Sequence, residues 1–196
     1  MVVLLGVPAA ILGIPILAHQ NQGLSHQEAA TEAWPVEATA TGDDGRTRTL
    51  SVAGEVAGPD APALDTSALV PGQHLVVTGS GYDGSRGIYV AICVIPPDSA
   101  TKPGPCVGGV PDQSQQTVAA GTVQYAPSNW INDDWAWKLF GARSYDDLAK
   151  GTFTAYIEVG DADVCAAQAC GLFTRNDHTA LNDRVQDLYI PVAFAG

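Results

Sequence analysis

The stretch GIYVAICVI, residues 87–95, decides the class of fold. Its branched aliphatic residues recur at every second position, at Ile88, Val90, Ile92 and Val94, with Tyr89, Ala91 and Cys93 between them. A period of two places successive side chains on opposite faces of an extended backbone. The stretch therefore predicts a β-strand.

Six other segments show strand signals of the same kind, at residues 48–56, 73–79, 116–125, 152–159, 170–175 and 187–194. The 196 residues include 21 glycines and 13 prolines, which favour short strands and turns over helices. Pro191 has no backbone N–H to donate, so the last strand is predicted at a sheet edge. Together these features predict an all-β protein, a seven-stranded immunoglobulin-like β-sandwich over residues 47–196.

Residues 128–150, SNWINDDWAWKLFGARSYDDLAK, interrupt this pattern with a short helical, tryptophan-rich insert. Asn132 is a suitable cap for a helical turn, and Gly141 is a suitable stop. Four large aromatic residues lie within eleven positions: Trp130, Trp135, Trp137 and Phe140. Two hypotheses stay open for them, an apolar cluster that plugs one end of the sandwich or a surface for a partner or ligand.

The N-terminal part of the chain divides into an apolar and an acidic segment. Residues 1–18 carry no charged side chain, and as a helix they would span about 27 Å, close to the thickness of a hydrocarbon core. This hydrophobic helix is either a membrane anchor or part of a signal peptide, and the poor cleavage site ILAHQNQG favours the anchor. Residues 19–46 are predicted to form an acidic linker.

The charge and cysteine content narrow the class of protein further. Nine basic and 21 acidic residues give a net charge of −12, which repels phosphate backbones, so nucleic acid is not expected as a partner. The four cysteines fall into two local pairs with the spacings C-x12-C and C-x4-C. An even count in local pairs predicts two disulfides and an oxidising compartment, and neither spacing matches a zinc knuckle.

The stretch CGLFTRNDHTALNDR, residues 170–184, concentrates charged side chains near the C-terminus. The candidate residues are Arg175, Asp177, His178, Asp183 and Arg184, with Asp187 just beyond them. Catalysis would require a nucleophile such as Ser85 beside His178, but the chain has no G-x-S-x-G motif. A metal site would use the acidic residues and the histidine, but the spacing matches no known loop motif. We favour a structural network in which both arginines pair with aspartates, and predict no catalytic residue, metal or cofactor.

One cysteine pair after the third predicted strand and a C-x4-C pair before the penultimate strand resemble the arrangement in the neocarzinostatin-like family of actinobacterial secreted domains. Two motifs, VVTGSGYDGSRGIYVAICV (76–94) and CAAQACGLFTRNDHTALNDRVQDLYIPVAF (165–194), resemble the immunoglobulin-like domains of actinobacterial cell-envelope proteins. The resemblance covers roughly residues 50–194. It implies the disulfides Cys93–Cys106 and Cys165–Cys170. It also implies a cleft between the sandwich and a β-ribbon, in which antibiotic-carrying members hold an apolar enediyne. The tryptophan-rich insert departs from the family pattern, since it would fill or replace that cleft.

These features predict a non-catalytic domain of the cell envelope, on the extracytoplasmic side of the plasma membrane and tethered by one N-terminal anchor. We expect it to act through protein contacts, as an accessory subunit of an actinobacterial membrane complex. A respiratory supercomplex is one example of such an assembly. The alternative is a secreted carrier that binds a small apolar ligand in the sandwich cleft.

Overall fold

Two antiparallel β-sheets enclose the core in a computed structural model that describes residues 21–56, 63–109 and 123–195. The strands are β1 (Ser25–Gln27), β2 (Glu37–Gly42), β3 (Thr47–Gly54), β4 (His74–Ser80), β5 (Ile88–Val94), β6 (Ser128–Ile131), β7 (Phe153–Glu158), β8 (Cys170–Asn176) and β9 (Leu188–Val192). One α-helix, α1 (Trp135–Lys138), and two 3₁₀ helices, Asp163–Cys165 and His178–Ala180, accompany them. The first sheet has the order β1-β2-β3-β4-β7, and the second has the order β6-β5-β8-β9. The predicted all-β class with two packed sheets is confirmed.

The core between the sheets is built from the alternate residues that the period of two predicts. Buried side chains point into it from both sheets: Leu50, Val52, Leu75, Val77, Phe153 and Ile157 from the first, and Ile88, Val90, Ile92, Leu172, Leu188 and Ile190 from the second. Each of these side chains is at most 6% exposed. Burying one such aliphatic side chain contributes about 1.5–3 kcal/mol, so this cluster is the main source of stability.

The outer face of the second sheet is covered as well, so β5 and β8 are buried on both faces. Tyr89 packs with Trp130 and Trp137, and Cys93 packs with Phe173. The tryptophan-rich insert and the loop after β5 supply this cover. This explains why the positions between the branched residues of β5 are themselves apolar.

The number of strands differs from the expected seven, since the described residues form nine. Strands β1 and β2 lie in the segment predicted to be a linker, and β6 lies in the insert predicted to be helical. In β2, EATATG, only Ala40 and Gly42 are buried, so this strand lacks the large apolar residues that mark the others. The predicted hydrophobic helix 1–18 and most of the predicted strand 116–125 lie outside the described residues. No helix in the described ranges is long and apolar enough to cross a membrane.

The free edge of β9 is closed by a side chain and a loop. Gln27 donates from Nε2 to the Tyr189 carbonyl (2.9 Å) and accepts from the Tyr189 amide at Oε1 (3.1 Å). Further along, the Leu69 amide donates to the Ala193 carbonyl (2.9 Å). Pro191 lies in this edge strand, as its missing N–H predicted.

Both predicted disulfides are present. Cys93–Cys106 joins β5 to the loop that follows it, and Cys165–Cys170 joins a 3₁₀ helix to the start of β8. None of the four cysteines is free. The pairing implied by the family resemblance is therefore confirmed.

Removal of the Cys93–Cys106 bond with the paired substitutions Cys93→Ala and Cys106→Ala should cost more stability than removal of Cys165–Cys170. The sequence separations are 13 and 5 residues, and chain entropy then predicts losses of about 3 and about 2 kcal/mol. Urea unfolding of the two variants measures both values. Intact mass should show four thiols in the wild-type protein only after reduction; free thiols beforehand would contradict the structure.

Candidate functional site

A buried carboxylate, Asp177, organises the loop that follows β8. It accepts hydrogen bonds from Trp130 Nε1 (2.8 Å), Asn132 Nδ2 (2.9 Å), and the Thr179 amide (2.8 Å) and hydroxyl (2.6 Å). Among the described residues it forms no ion pair with a cation, although it is fully buried. A Cβ on Gly87 would clash with Asp177 Oδ2, so the close approach of the residue before β5 requires glycine.

Next to Asp177, the imidazole of His178 lies in an aromatic cluster. Its Nδ1 is 2.8 Å from the Tyr89 hydroxyl, and its ring centroid is 4.8 Å from that of Trp137 and 5.1 Å from that of Trp130. Burial, helped by the charge of Asp177, raises the pKa of Tyr89 to about 12, so this phenol stays neutral. The contacts of His178 are those of a packed side chain that joins the insert to β5.

The suggested nucleophile, Ser85, has other partners. Its hydroxyl donates to Asp83 Oδ1 (2.7 Å), and its amide donates to the same oxygen (3.0 Å). Both bonds belong to one local turn after β4. The structure therefore gives Ser85 a local role and does not bond it to His178.

Within the insert, the short helix α1 follows β6; Asp134 caps its start, and the chain turns away at Gly141. Asp134 Oδ1 accepts from the Ala136 amide (2.9 Å), and the chain turns at Gly141 with a φ of +91°. Trp137 points inward and is 8% exposed. Trp135 and Leu139, four residues apart, share the opposite side.

Four apolar residues of this region are exposed, and we call them together the α1 surface. It consists of Trp135 (66% exposed), Leu139 (74%), Phe140 (41%) and Leu148 (53%). Trp135 and Leu148 line the same surface depression, which joins the helix to the loop before β7. The four predicted aromatic residues thus divide: Trp130 and Trp137 pack inward, and Trp135 and Phe140 face solvent. Grouped exposed apolar side chains of this size mark interaction sites.

The predicted charge network lies mainly on the outer face of the second sheet. Arg184, which is 2% exposed, donates from Nη1 to Asp187 Oδ2 (2.9 Å). The Arg175 guanidinium lies 5.0 Å from the centroid of the Tyr89 ring. Asp183 accepts from backbone amides that precede β1 and β9. Of the expected arginine–aspartate pairs, the structure contains Arg184–Asp187.

A pocket of about 450 Å³ lies beside these charges, and we call it the outer-sheet pocket. One wall is the stacked pair Phe173 and Tyr189, with ring centroids 4.7 Å apart. The remaining lining comes from β1, from residues 95–103 and from Asp187. The lining is therefore about half polar, with two carboxylates, Asp98 and Asp187, and the aromatic pair supplies its apolar wall.

Within the described ranges, no group of three or more histidine, cysteine, aspartate or glutamate side chains is arranged to hold a metal ion. Comparison with protein-family models, curated proteins and solved structures finds no match to this chain.

Sequence reasoning identified the aromatic part of the α1 surface and overlooked Leu139 and Leu148. The spacing of four residues between Trp135 and Leu139 was a usable signal for the first. Leu148 reaches the surface only through the tertiary fold. The pairing of Phe173 with Tyr189 depends on the register of β8 and β9, and no local sequence pattern predicts that register.

Substitution Asp177→Ala should lower the free energy of unfolding by about 3 kcal/mol or more, because it leaves the Trp130 and Asn132 donors buried without an acceptor. Chemical unfolding followed by tryptophan fluorescence measures the change. The exposed Asp161, for which the structure gives no hydrogen bond, provides the control Asp161→Asn, expected within about 0.5 kcal/mol of the wild type. A loss below about 1 kcal/mol for Asp177→Ala would contradict the role assigned to this carboxylate.

The Asp187 carboxyl should give the stability a measurable pH dependence. Burial raises its pKa to about 7, outweighing the opposing effects of Arg184 and Arg175. The folded state then binds more protons than the unfolded state between about pH 4 and pH 7, so this contribution to stability falls as the pH rises. Relative to Asp187→Asn, the wild type should lose up to about 1.4 kcal/mol per pH unit across that window. Parallel stability curves for the two proteins would contradict this.

Proposed function

We propose that this protein is a non-catalytic extracytoplasmic domain that binds a protein partner through the α1 surface. The observation that carries the proposal is the exposure of Trp135 on α1 and of Leu139 directly after it, while Trp137 fixes the other side of the helix in the fold. Tryptophan is enriched among the residues that dominate binding energy at protein interfaces. An exposed tryptophan and leucine four residues apart suit a groove or apolar patch on a partner.

The side chains beneath α1 hold the helix in one position, which favours a binding role for its exposed residues. Trp137 packs on Trp130 at a ring distance of 5.6 Å, and Trp130 is hydrogen-bonded to Asp177. Asp133 pairs with Lys138 (2.5 Å) and accepts from the Tyr145 amide (2.8 Å), which ties the residue before α1 to the end of the helix and to the segment after it. A pre-ordered contact surface loses less conformational entropy on association.

The disulfides support the proposed location. Both cysteine pairs are joined, and such bonds persist in oxidising compartments outside the cytoplasm. The resemblance to envelope domains and the apolar segment 1–18 support a membrane tether and a partner within a membrane complex, of which an actinobacterial respiratory supercomplex remains one example. The immunoglobulin-like and neocarzinostatin-like assignment is part of this proposal.

A second function, that of a small-ligand carrier, is favoured by one observation, the outer-sheet pocket. Its aromatic wall, Phe173 and Tyr189, offers a flat apolar contact on the sheet face. Its volume of about 450 Å³ lies within the usual range of ligand pockets. A carrier would use this pocket and leave the α1 surface free.

The double substitution Trp135→Ala and Leu139→Ala should abolish partner binding and leave the fold intact, since exposed side chains contribute little to stability. The tagged full-length chain is recovered from native membranes in mild detergent, and co-purifying proteins are quantified by mass spectrometry. A photo-crosslinking residue at position 139 should capture the same partner. Trp34→Ala, which removes another exposed tryptophan (44% exposed), is the matched control.

Retention of a stoichiometric partner by the double variant would contradict the assigned surface. Recovery of the wild-type chain alone, from the soluble fraction, would contradict the accessory role and favour the carrier. Trp137→Ala should instead lower stability by about 3–5 kcal/mol, because its ring is buried.

A further inference from the structure

The chain joins the sandwich within a few residues of the uncharged segment 1–18. The Gln22 amide donates to Asp183 Oδ2 (3.1 Å), the Gly23 carbonyl accepts from the Arg184 amide (3.1 Å), and β1 begins at Ser25. Most of the predicted linker 19–46 is therefore part of the fold. Residue 18 lies four positions before Gln22 in the sequence, and a fully extended chain spans at most about 14 Å over that separation.

The residues after this junction lie at one end of the sandwich, which we call the α1 end. Ser25, the first residue of β1, pairs with Gly42, the last residue of β2. In the second sheet, Ile88 at the start of β5 pairs with Asn176 at the end of β8 and with Ile131 at the end of β6. The segment after β8 supplies the partners of Gln22 and Gly23, and the insert with α1 leaves β6 at this same end.

Contacts connect the α1 surface to the first residues of the fold. Trp135 and Leu148 line a surface depression together with Arg46. Arg46 belongs to the hairpin between β2 and β3, in which Asp43 accepts from the Leu24 amide at Oδ2 (2.8 Å) and donates its own amide to the Leu24 carbonyl (2.9 Å). The α1 surface and the point where the chain enters the sandwich are thus neighbours.

We propose that the α1 end of the sandwich lies against the membrane, so that the α1 surface meets its partner at the level of the lipid headgroups and this partner is an integral membrane protein. The inference rests on the proposed function, because it uses the membrane tether and the binding role of the α1 surface. A tether of at most about 14 Å leaves the domain little freedom to turn its opposite end to the bilayer. Tryptophan, as at position 135, is enriched at membrane–water interfaces.

Charge favours a protein over the lipid surface itself as the occupant. The depression beside Trp135 is lined by one arginine and three aspartates, Arg46, Asp83, Asp133 and Asp134. Two of these aspartates pair with Arg86 and Lys138, so the whole group carries no excess of positive charge. Surfaces that bind anionic headgroups are clusters of lysine and arginine, and the net charge of this chain is −12.

Labels at two exposed apolar positions measure the orientation. A small fluorescent amino acid replaces Leu181 (48% exposed) at the α1 end or Val70 (46% exposed) at the opposite end. Each full-length chain is reconstituted in phosphatidylcholine vesicles in which a fraction of the headgroups carries a nitroxide quencher. Because the 7 residues of β4 alone separate the two ends by about 23 Å, the label at position 181 should be quenched at least about fivefold more strongly.

Equal quenching at the two positions would overturn the orientation and leave the binding of a protein by the α1 surface standing. Stronger quenching at position 70 would do the same. A chain that does not float with the vesicles would overturn both this inference and the membrane tether of the proposed function.

The length of the tether tests the class of the partner. A twelve-residue glycine–serine insert between Gln20 and Asn21 adds about 20 Å of reach. It dilutes the α1 surface around a partner fixed in the bilayer, so crosslinking from position 139 in native membranes should fall at least about threefold. The captured protein should stay in the membrane after alkaline carbonate extraction. The same insert between the exposed Ser99 and Ala100 is the matched control and should leave the yield unchanged.

Undiminished crosslinking with the longer tether would overturn the membrane-protein assignment, as would a captured partner that carbonate releases. Either result would leave the protein-binding function intact. Crosslinking of position 139 to lipid in place of protein would overturn both.

Discussion

The arrangement of the second sheet and its insert depends on satisfying one buried carboxylate. Asp177 forms no ion pair within the described ranges, so its hydrogen bonds do most to offset the several kcal/mol that its removal from water costs. The donors come from β6, from the residue after β6 and from the turn after β8, while Gly87 lets β5 come close. Because these donors belong to separate segments, their convergence fixes how the insert lies on the sheet. The positions of Trp130, Trp137 and α1 follow from it.

Because the second sheet is packed on both faces, the side chains on its outer face are held in place by close contacts. Strands β5 and β8 hold one apolar cluster between the sheets and two more outside, around Tyr89 and around Phe173. The α1 surface and the outer-sheet pocket both rest on this doubly packed layer. Their side chains are therefore held by close packing on a regular scaffold, which is the support that a precise binding site requires.

Alternation of apolar residues was enough to locate six of the nine strands and the core face, as at Ile88 to Val94 and Leu188 to Val192, since large branched side chains mark a buried strand face. It failed for the three-residue β1 and for β2, whose alanine and threonine residues pair with β3 without large apolar side chains. It also failed for β6, whose Trp130 belongs to a tryptophan-rich stretch that was predicted to be helical. The density of charged residues identified 170–187 as a structural network, but the sequence predicted that Asp177 would pair with an arginine. The structure gives it neutral donors from Trp130 in β6 and from Asn132 just after it, both more than 40 residues away in the chain. Such long-range partners leave no local pattern to interpret.

The side-chain amide of Gln27 makes the two backbone hydrogen bonds that a neighbouring strand would make at the edge of β9. By donating to and accepting from the backbone of Tyr189, it occupies the groups that an open sheet edge would offer to another chain. Pro191 removes a further donor, and the loop through Leu69 covers the end of β9. An uncovered edge is a template for intermolecular β-pairing and fibril growth. This edge of the second sheet is thus protected against self-templated aggregation by the chain itself.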